Sequence, residues 1–237
     1  MTMSDLLHLA EHRLQEVALT IMTVVYVARL LWLFRFRRGR DRQPPTAGTR
    51  TSAARGALYS MAAIVMPWSM ESTRRRPGFY AQFVVFHLAV TANILLSFVI
   101  PYAPGLLRSV ALVRLAQIAI GAGFMVGILR VVRRASDPIV RRISTPDDFF
   151  SPALLTIWLA AGVLAAPNDI AGGELPLLVY FVLTAFFLVY VPFSKISHYL
   201  YYPFSRFYLG RTLGHRGVFP LEPRSITSQA PRRSEET

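Results

Sequence analysis

The chain has 237 residues, 53% of them hydrophobic, with a mean hydropathy of +0.40. Its net charge of +13 comes from 25 arginines and one lysine set against 13 acidic residues. The lack of cysteine excludes thiolate-held iron–sulfur clusters, zinc knuckles and disulfides within this chain, and the arginines sit between long apolar blocks, a pattern of membrane surface and not of nucleic-acid binding.

A polar segment, 1–16, opens the chain and carries His8 and His12, read as solvated side chains. Then follow five runs near the roughly 20 apolar residues that a helix needs to cross a bilayer. The first is Val17–Phe34. Its positive charges follow the apolar stretch ("RFRRGR"), so it does not read as a cleavable leader. A basic loop, 35–78, comes next, and within it 56–70 is too short to span and is interrupted by Pro67; it reads as a helix lying on the membrane surface. The remaining spans are Phe79–Ile100, Ser109–Val132, Phe150–Ala166 and Leu175–Phe193, the last with an aromatic continuation expected to stay helical to Tyr202. Residues 206–237 read as a basic, disordered tail.

Arginine placement gives an orientation. Segment 35–78 holds ten arginines, 130–149 holds five, and the stretch from Lys195 onward holds six, whereas the opposite loops hold only Arg13 and Arg108. By the positive-inside rule the N-terminus is outside and the C-terminus cytoplasmic. The expected fold is an all-α integral membrane bundle of five helices, residues 17–205.

Two histidines belong to these helices. His87 lies about 12 Å from the basic end of the second span, eight residues at 1.5 Å each. His198 approaches the same face from the fifth. A histidine inside a membrane is costly and usually functional. Zinc wants a third or fourth protein ligand, and a proton relay wants carboxylates inside the spans; neither is evident. Haem iron wants two axial ligands from facing helices, which two neutral imidazoles supply. Lys195, Arg206 and Arg74–Arg76 fall at the same face, where haem propionates need cations. Arg29 can reach a propionate or snorkel to the interface. Asn93 suits helix–helix hydrogen bonding, and "GAGFMVG" at 121–127 suits close helix approach. Arg114, in the third span, is a weaker candidate for contact with a ring, a carbonyl or a quinone oxygen.

The stretch "PFSKISH" at 192–198 resembles the PFS-[RK]-x-x-H motif in the last helix of the membrane cytochrome b (gamma) subunit of respiratory nitrate reductases. "FH" at 86–87 is similar to that family's histidine early in the second span. The resemblance covers residues 15–205. It implies one b haem held by His87 and His198, with electrons passing between a membrane quinone pool and a cytoplasmic iron–sulfur partner, in the cytoplasmic (inner) membrane of a prokaryote. Two-haem members carry one more histidine on each of these helices. Ser97 and Tyr180 stand at those positions here, which implies a single-haem variant and puts the family's usual quinol site, beside the outer haem, in doubt. The long basic first loop departs from the nitrate enzyme, so membership of the wider superfamily, which also serves heterodisulfide-reductase-type iron–sulfur proteins, is the expectation. Bond-making catalysis would lie in another subunit. The alternative is a haem-free membrane anchor or assembly protein that recruits a partner, or anionic lipid, through its arginines.

Overall fold

The structure is a computed structural model and describes residues 2–36, 39, 43–44, 52–69 and 71–220. In chain order the α-helices are α1 (Met3–His8), α2 (Leu14–Arg35), α3 (Ala53–Ala62), α4 (Glu71–Arg75), α5 (Pro77–Tyr102), α6 (Val110–Ser136), α7 (Pro138–Arg142), α8 (Pro146–Ala165), α9 (Leu175–Tyr190) and α10 (His198–His215). No strand occurs among the described residues. Five helical stretches are long and apolar enough to cross a membrane: Met3–Phe34, Pro77–Tyr102, Val110–Ser136, Pro146–Ala165 and Leu175–Phe193. Large apolar side chains on them face outward, among them Val24 and Leu31 on α2 and Leu115, Ile118 and Leu129 on α6. Such an apolar exterior suits lipid and not water, so the chain is an integral membrane protein.

The chain divides into two compact units. The first comprises Met1–Arg38 and Arg76–Leu200 and contains all five long helices. Its contacts run from α5 to α6, α6 to α8, α8 to α9 and α9 to α2, so the helices form an arc with α5 and α2 at its two ends. Small residues permit close approach along the arc. A Cβ on Gly123 would strike Ala89 of α5, and one on Gly127 would strike the Thr156 side chain of α8. The "GAGFMVG" stripe is thus a packing surface, as its spacing suggested.

The core lies between α5, α8 and α9, where Trp158, Leu159, Tyr180 and Phe181 are fully buried. Its buried donors are tied across helices, because a buried donor without a partner is expensive. The Trp158 indole donates to Thr184 Oγ1 at 2.8 Å. Asn93 Nδ2 donates to the Trp158 carbonyl at 3.2 Å, and the Tyr180 hydroxyl donates to the Asn93 carbonyl at 2.6 Å. Asn93 therefore has the interhelical role its position implied.

Several helix boundaries differ from expectation, two of them in the first unit's first and last spans. The first rod does not begin at Val17. Thr2 and Asp5 form a reciprocal capping box, helix starts at Met3, and it continues through one π-helical stretch, Leu9–Arg13, into α2. Gln15 accounts for the tolerance of a polar segment there. Its Nε2 reaches back to the Ala10 carbonyl at 3.0 Å and across to the Phe181 carbonyl of α9 at 2.7 Å. The segment 1–16 is thus helical over its described residues from Met3 onward, and it belongs to the first unit.

The fifth span does not stay helical to Tyr202. Pro192 has no N–H to give and its ring obstructs the preceding turn. The α-helix ends at Tyr190, a 3₁₀ turn covers Val191–Phe193, and Ser194 is extended (φ −103°, ψ 171°). A second 3₁₀ turn, Lys195–Ser197, is capped by Ser194, whose Oγ accepts from the Ile196 N–H. His198 then opens a new helix, α10.

The second unit comprises Gly39–Arg75 and Tyr201–Thr237. The apolar helical segment Ala53–Val65 is too short to span a bilayer, as read from the sequence. It meets the later part of α10 through glycine: a Cβ on Gly56 would run into the backbone of Gly210 and Gly214. Residues 206–215, expected in the tail, are helical; 221–237 lies outside the described residues.

Candidate functional site

Within the first unit, a cavity of about 1350 Å³ occupies the space that the arc leaves between α2 and α5. Ligand pockets usually hold roughly 300–1,000 Å³, so this one is large. Its α5 wall is a stripe at three-to-four-residue spacing, from Phe79 through Phe83, His87, Val90, Ile94 and Ser97 to Tyr102. At 1.5 Å per residue that wall is about 35 Å long, enough to cross the roughly 30 Å core of a bilayer. Leu19 and Met22 of α2 face it, with Leu155 and Trp158 of α8 and Phe187 and Val191 after them in the chain. Most of the lining is apolar; the charged groups gather toward one end, with Glu11 toward the other.

His87 and His198 both line this cavity. His87 Nδ1 lies 2.7 Å from the Phe83 carbonyl, one turn back on its own helix. His198 Nδ1 lies 3.0 Å from the Lys195 carbonyl. A carbonyl only accepts, so in each ring Nδ1 carries a hydrogen, and in the neutral tautomer that fits this contact Nε2 holds the lone pair. This is how a metal-binding imidazole is set up: the far nitrogen is engaged and the ring orientation fixed by a neighbour. Phe83 also tilts against His87, with ring centroids 4.1 Å apart. Among the described residues, no three His, Cys, Asp or Glu side chains come together as a metal-binding group. Two imidazoles on one cavity could serve as two ligands of a metal whose other positions a planar macrocycle fills.

Lys195 is a liner too, but its charge is committed. Nζ lies 2.8 Å from Asp148 Oδ1 and 2.9 Å from Thr145 Oγ1. The Lys195 N–H donates to Asp147 Oδ2 at 3.2 Å. Asp147 Oδ1 accepts from Ser151 Oγ at 2.7 Å and also from the Tyr190 hydroxyl. The N-terminus of α8 thus grips the backbone and side chain of Lys195, whose carbonyl holds His198. The sequence signal for Asp148 was the Thr145–Asp148 capping box at the start of α8; α8 begins there and not at Phe150. No signal marked Asp147 as a partner of residue 195, 48 positions away.

Two of the other cations expected at this face have contacts of their own. Arg29 lies over the Phe193 ring, 5.8 Å from its centroid, and does not line the cavity. Arg206 belongs to the second unit, where its Nε donates to the Ser60 carbonyl at 3.2 Å. The arginines that do face the cavity are Arg130, Arg133 and Arg134 of α6, read in the sequence only as loop charge. Arg134 donates to Ser144 Oγ at 2.6 Å. Arg114 donates to Gln117 Oε1 at 3.3 Å. Tyr199, beside His198, shares a 2.6 Å hydroxyl contact with Tyr26 of α2. Burial pushes the Tyr199 hydroxyl above its ordinary pKa, and the Tyr26 contact opposes that shift.

Ser97 and Tyr180, where the resemblance placed the sites of a second ligand pair, lie side by side, but only Ser97 lines the cavity. Tyr180 is buried in the core, while Ser97 lines the cavity with Oγ bonded to the Ile94 carbonyl at 2.7 Å.

No protein-family model, curated protein or solved structure matches the chain. The functional reading therefore rests on the chain's own sequence and on the residues of the cavity.

Proposed function

We propose that this protein is a membrane cytochrome b subunit holding one b haem between His87 and His198. The observation that carries the reading is the shared preparation of the two imidazoles. Both line one large, mainly apolar cavity, and both have Nδ1 engaged by a backbone carbonyl, so each offers Nε2. A haem bound there would supply one-electron redox chemistry. The chain would supply the ligands, an apolar wall from Phe83, Leu155, Trp158 and Phe187 that lowers the local dielectric, and arginines that offset negative charge. Placement of Tyr180 in the core supports one ring and not two.

In this reading electrons pass between the quinone pool and a cytoplasmic iron–sulfur partner. The N-terminus is outside, and the arginine-rich loops face the cytoplasm of a prokaryotic cell. The similarity of "PFSKISH" to the nitrate reductase gamma-type cytochromes is a further support.

The test is a reduced-minus-oxidised absorbance spectrum of the purified protein. A b-type band that is lost in both His87→Ala and His198→Ala is the expected result. A folded wild-type protein without the band leaves a haem-free anchor instead.

A further inference from the structure

We infer that Arg130 and Arg133 form an anion clamp that receives the two carboxylates of the bound macrocycle. The inference rests on the haem reading above and names cations different from those the sequence suggested.

Four observations carry it. First, the residues sit one turn apart on α6 and both line the cavity that holds His87 and His198. Second, each guanidinium is braced by an aromatic ring of α5. Arg130 Cζ lies 5.1 Å from the centroid of Phe86, the neighbour of His87, and Arg133 Cζ lies 4.3 Å from that of Phe79. Cation–π contact of this kind holds a guanidinium in place without neutralising it.

Third, neither arginine forms an ion pair among the described residues. The carboxylates nearby are committed, Asp148 to Lys195 and Asp147 to Ser151, Tyr190 and the Lys195 N–H. Fourth, Arg130 is only partly exposed and lies within a membrane-length helix, where an uncompensated charge is expensive and usually functional.

The chemistry follows from the guanidinium. Its planar fork of N–H donors matches a carboxylate bidentately, and a charge-assisted pair in a low-dielectric wall is stronger than one in water. A ligand with an apolar ring, a metal for two imidazoles and two acid groups on one edge satisfies everything the cavity offers at this end. A neutral apolar ligand would leave both arginines without an anion.

Binding of iron protoporphyrin IX, as free acid and as dimethyl ester, tests this. The full-length protein is purified in a neutral detergent without added lipid, and low-spin absorbance reports bis-imidazole ligation. Wild type is expected to bind the acid about tenfold or more tighter than the ester, the scale of a hydrogen bond to a charged group. The Arg130→Gln/Arg133→Gln variant is expected to bind both alike while keeping wild-type affinity for the ester. That retained ester binding shows the variant is folded. If it is lost, Arg130→Lys/Arg133→Lys, which keeps the charge, must still prefer the acid. Equal binding of acid and ester by wild type, an undiminished preference for the acid in the Gln variant, or no preference in the Lys variant overturns the clamp but leaves the haem reading standing. No low-spin complex in wild type with either compound overturns both.

Discussion

The carbonyl oxygen of Lys195 lies 3.0 Å from Nδ1 of His198, while the amide of the same lysine is held by Asp147 and its ammonium by Asp148. One residue thus couples the start of α8 to the ring of a candidate ligand. Lys195 acts by fixing a neighbour's geometry, and its charge is already spent on Asp148.

Loosening that coupling should weaken metal binding without abolishing it. Asp148→Asn removes the carboxylate that holds Lys195 Nζ, and outer partners of metal-binding histidines typically contribute 10–100-fold in affinity. We expect haem affinity to fall roughly tenfold, with the low-spin spectrum retained and the midpoint potential shifted. A purely structural salt bridge would leave the potential where it was. Redox titration of Asp148→Asn beside wild type decides between them.

Crowding the α6–α8 contact should unseat the cavity wall. Gly127 faces Thr156 so closely that any side chain there must displace it. Gly127→Val is expected to destabilise the bundle by about 1–3 kcal/mol, the usual range for overpacking. Thermal denaturation in detergent should show a lower midpoint, and Gly78→Ala, where an added Cβ meets nothing within 4 Å, should show no change.

Orientation can be read chemically because the chain has no cysteine of its own. A Cβ at Gly105, just past α5, and one at Gly78, at its start, both project into open space. In intact cells an impermeant maleimide should label Gly105→Cys and spare Gly78→Cys until the membrane is opened. The reverse pattern would invert the topology and put the arginine-rich loops outside.

Hydropathy located five membrane-length segments because a span needs only sustained apolarity, a local property of the chain. Helix ends were less legible. Asp5, His8, Glu11 and His12 read as a polar prelude, yet a capping box at Thr2 and the cross-helix bonds of Gln15 carry the helix back to Met3. Pro192 marked a break that the aromatic run after it concealed.

His87 was legible because ionisable residues are rare within membrane segments; His198, read as part of the fifth span, lies past it at the start of α10, and both side chains line one cavity. Their cationic neighbours were not legible. Net loop charge cannot distinguish Arg134, bonded to Ser144, from Arg130 and Arg133, which lack an acidic partner among the described residues. Nor could it foresee that Asp148, 47 positions upstream, would engage the lone lysine.

The arc of helices also constrains the order of events during biosynthesis. Of the five membrane-length stretches, the first in chain order docks, through α2, chiefly on the fifth, through α9. If the stretches insert in chain order, that docking comes last, and the cavity beside His87 is enclosed only then. A bulky guest can therefore arrive sideways through the bilayer before the last docking step encloses it.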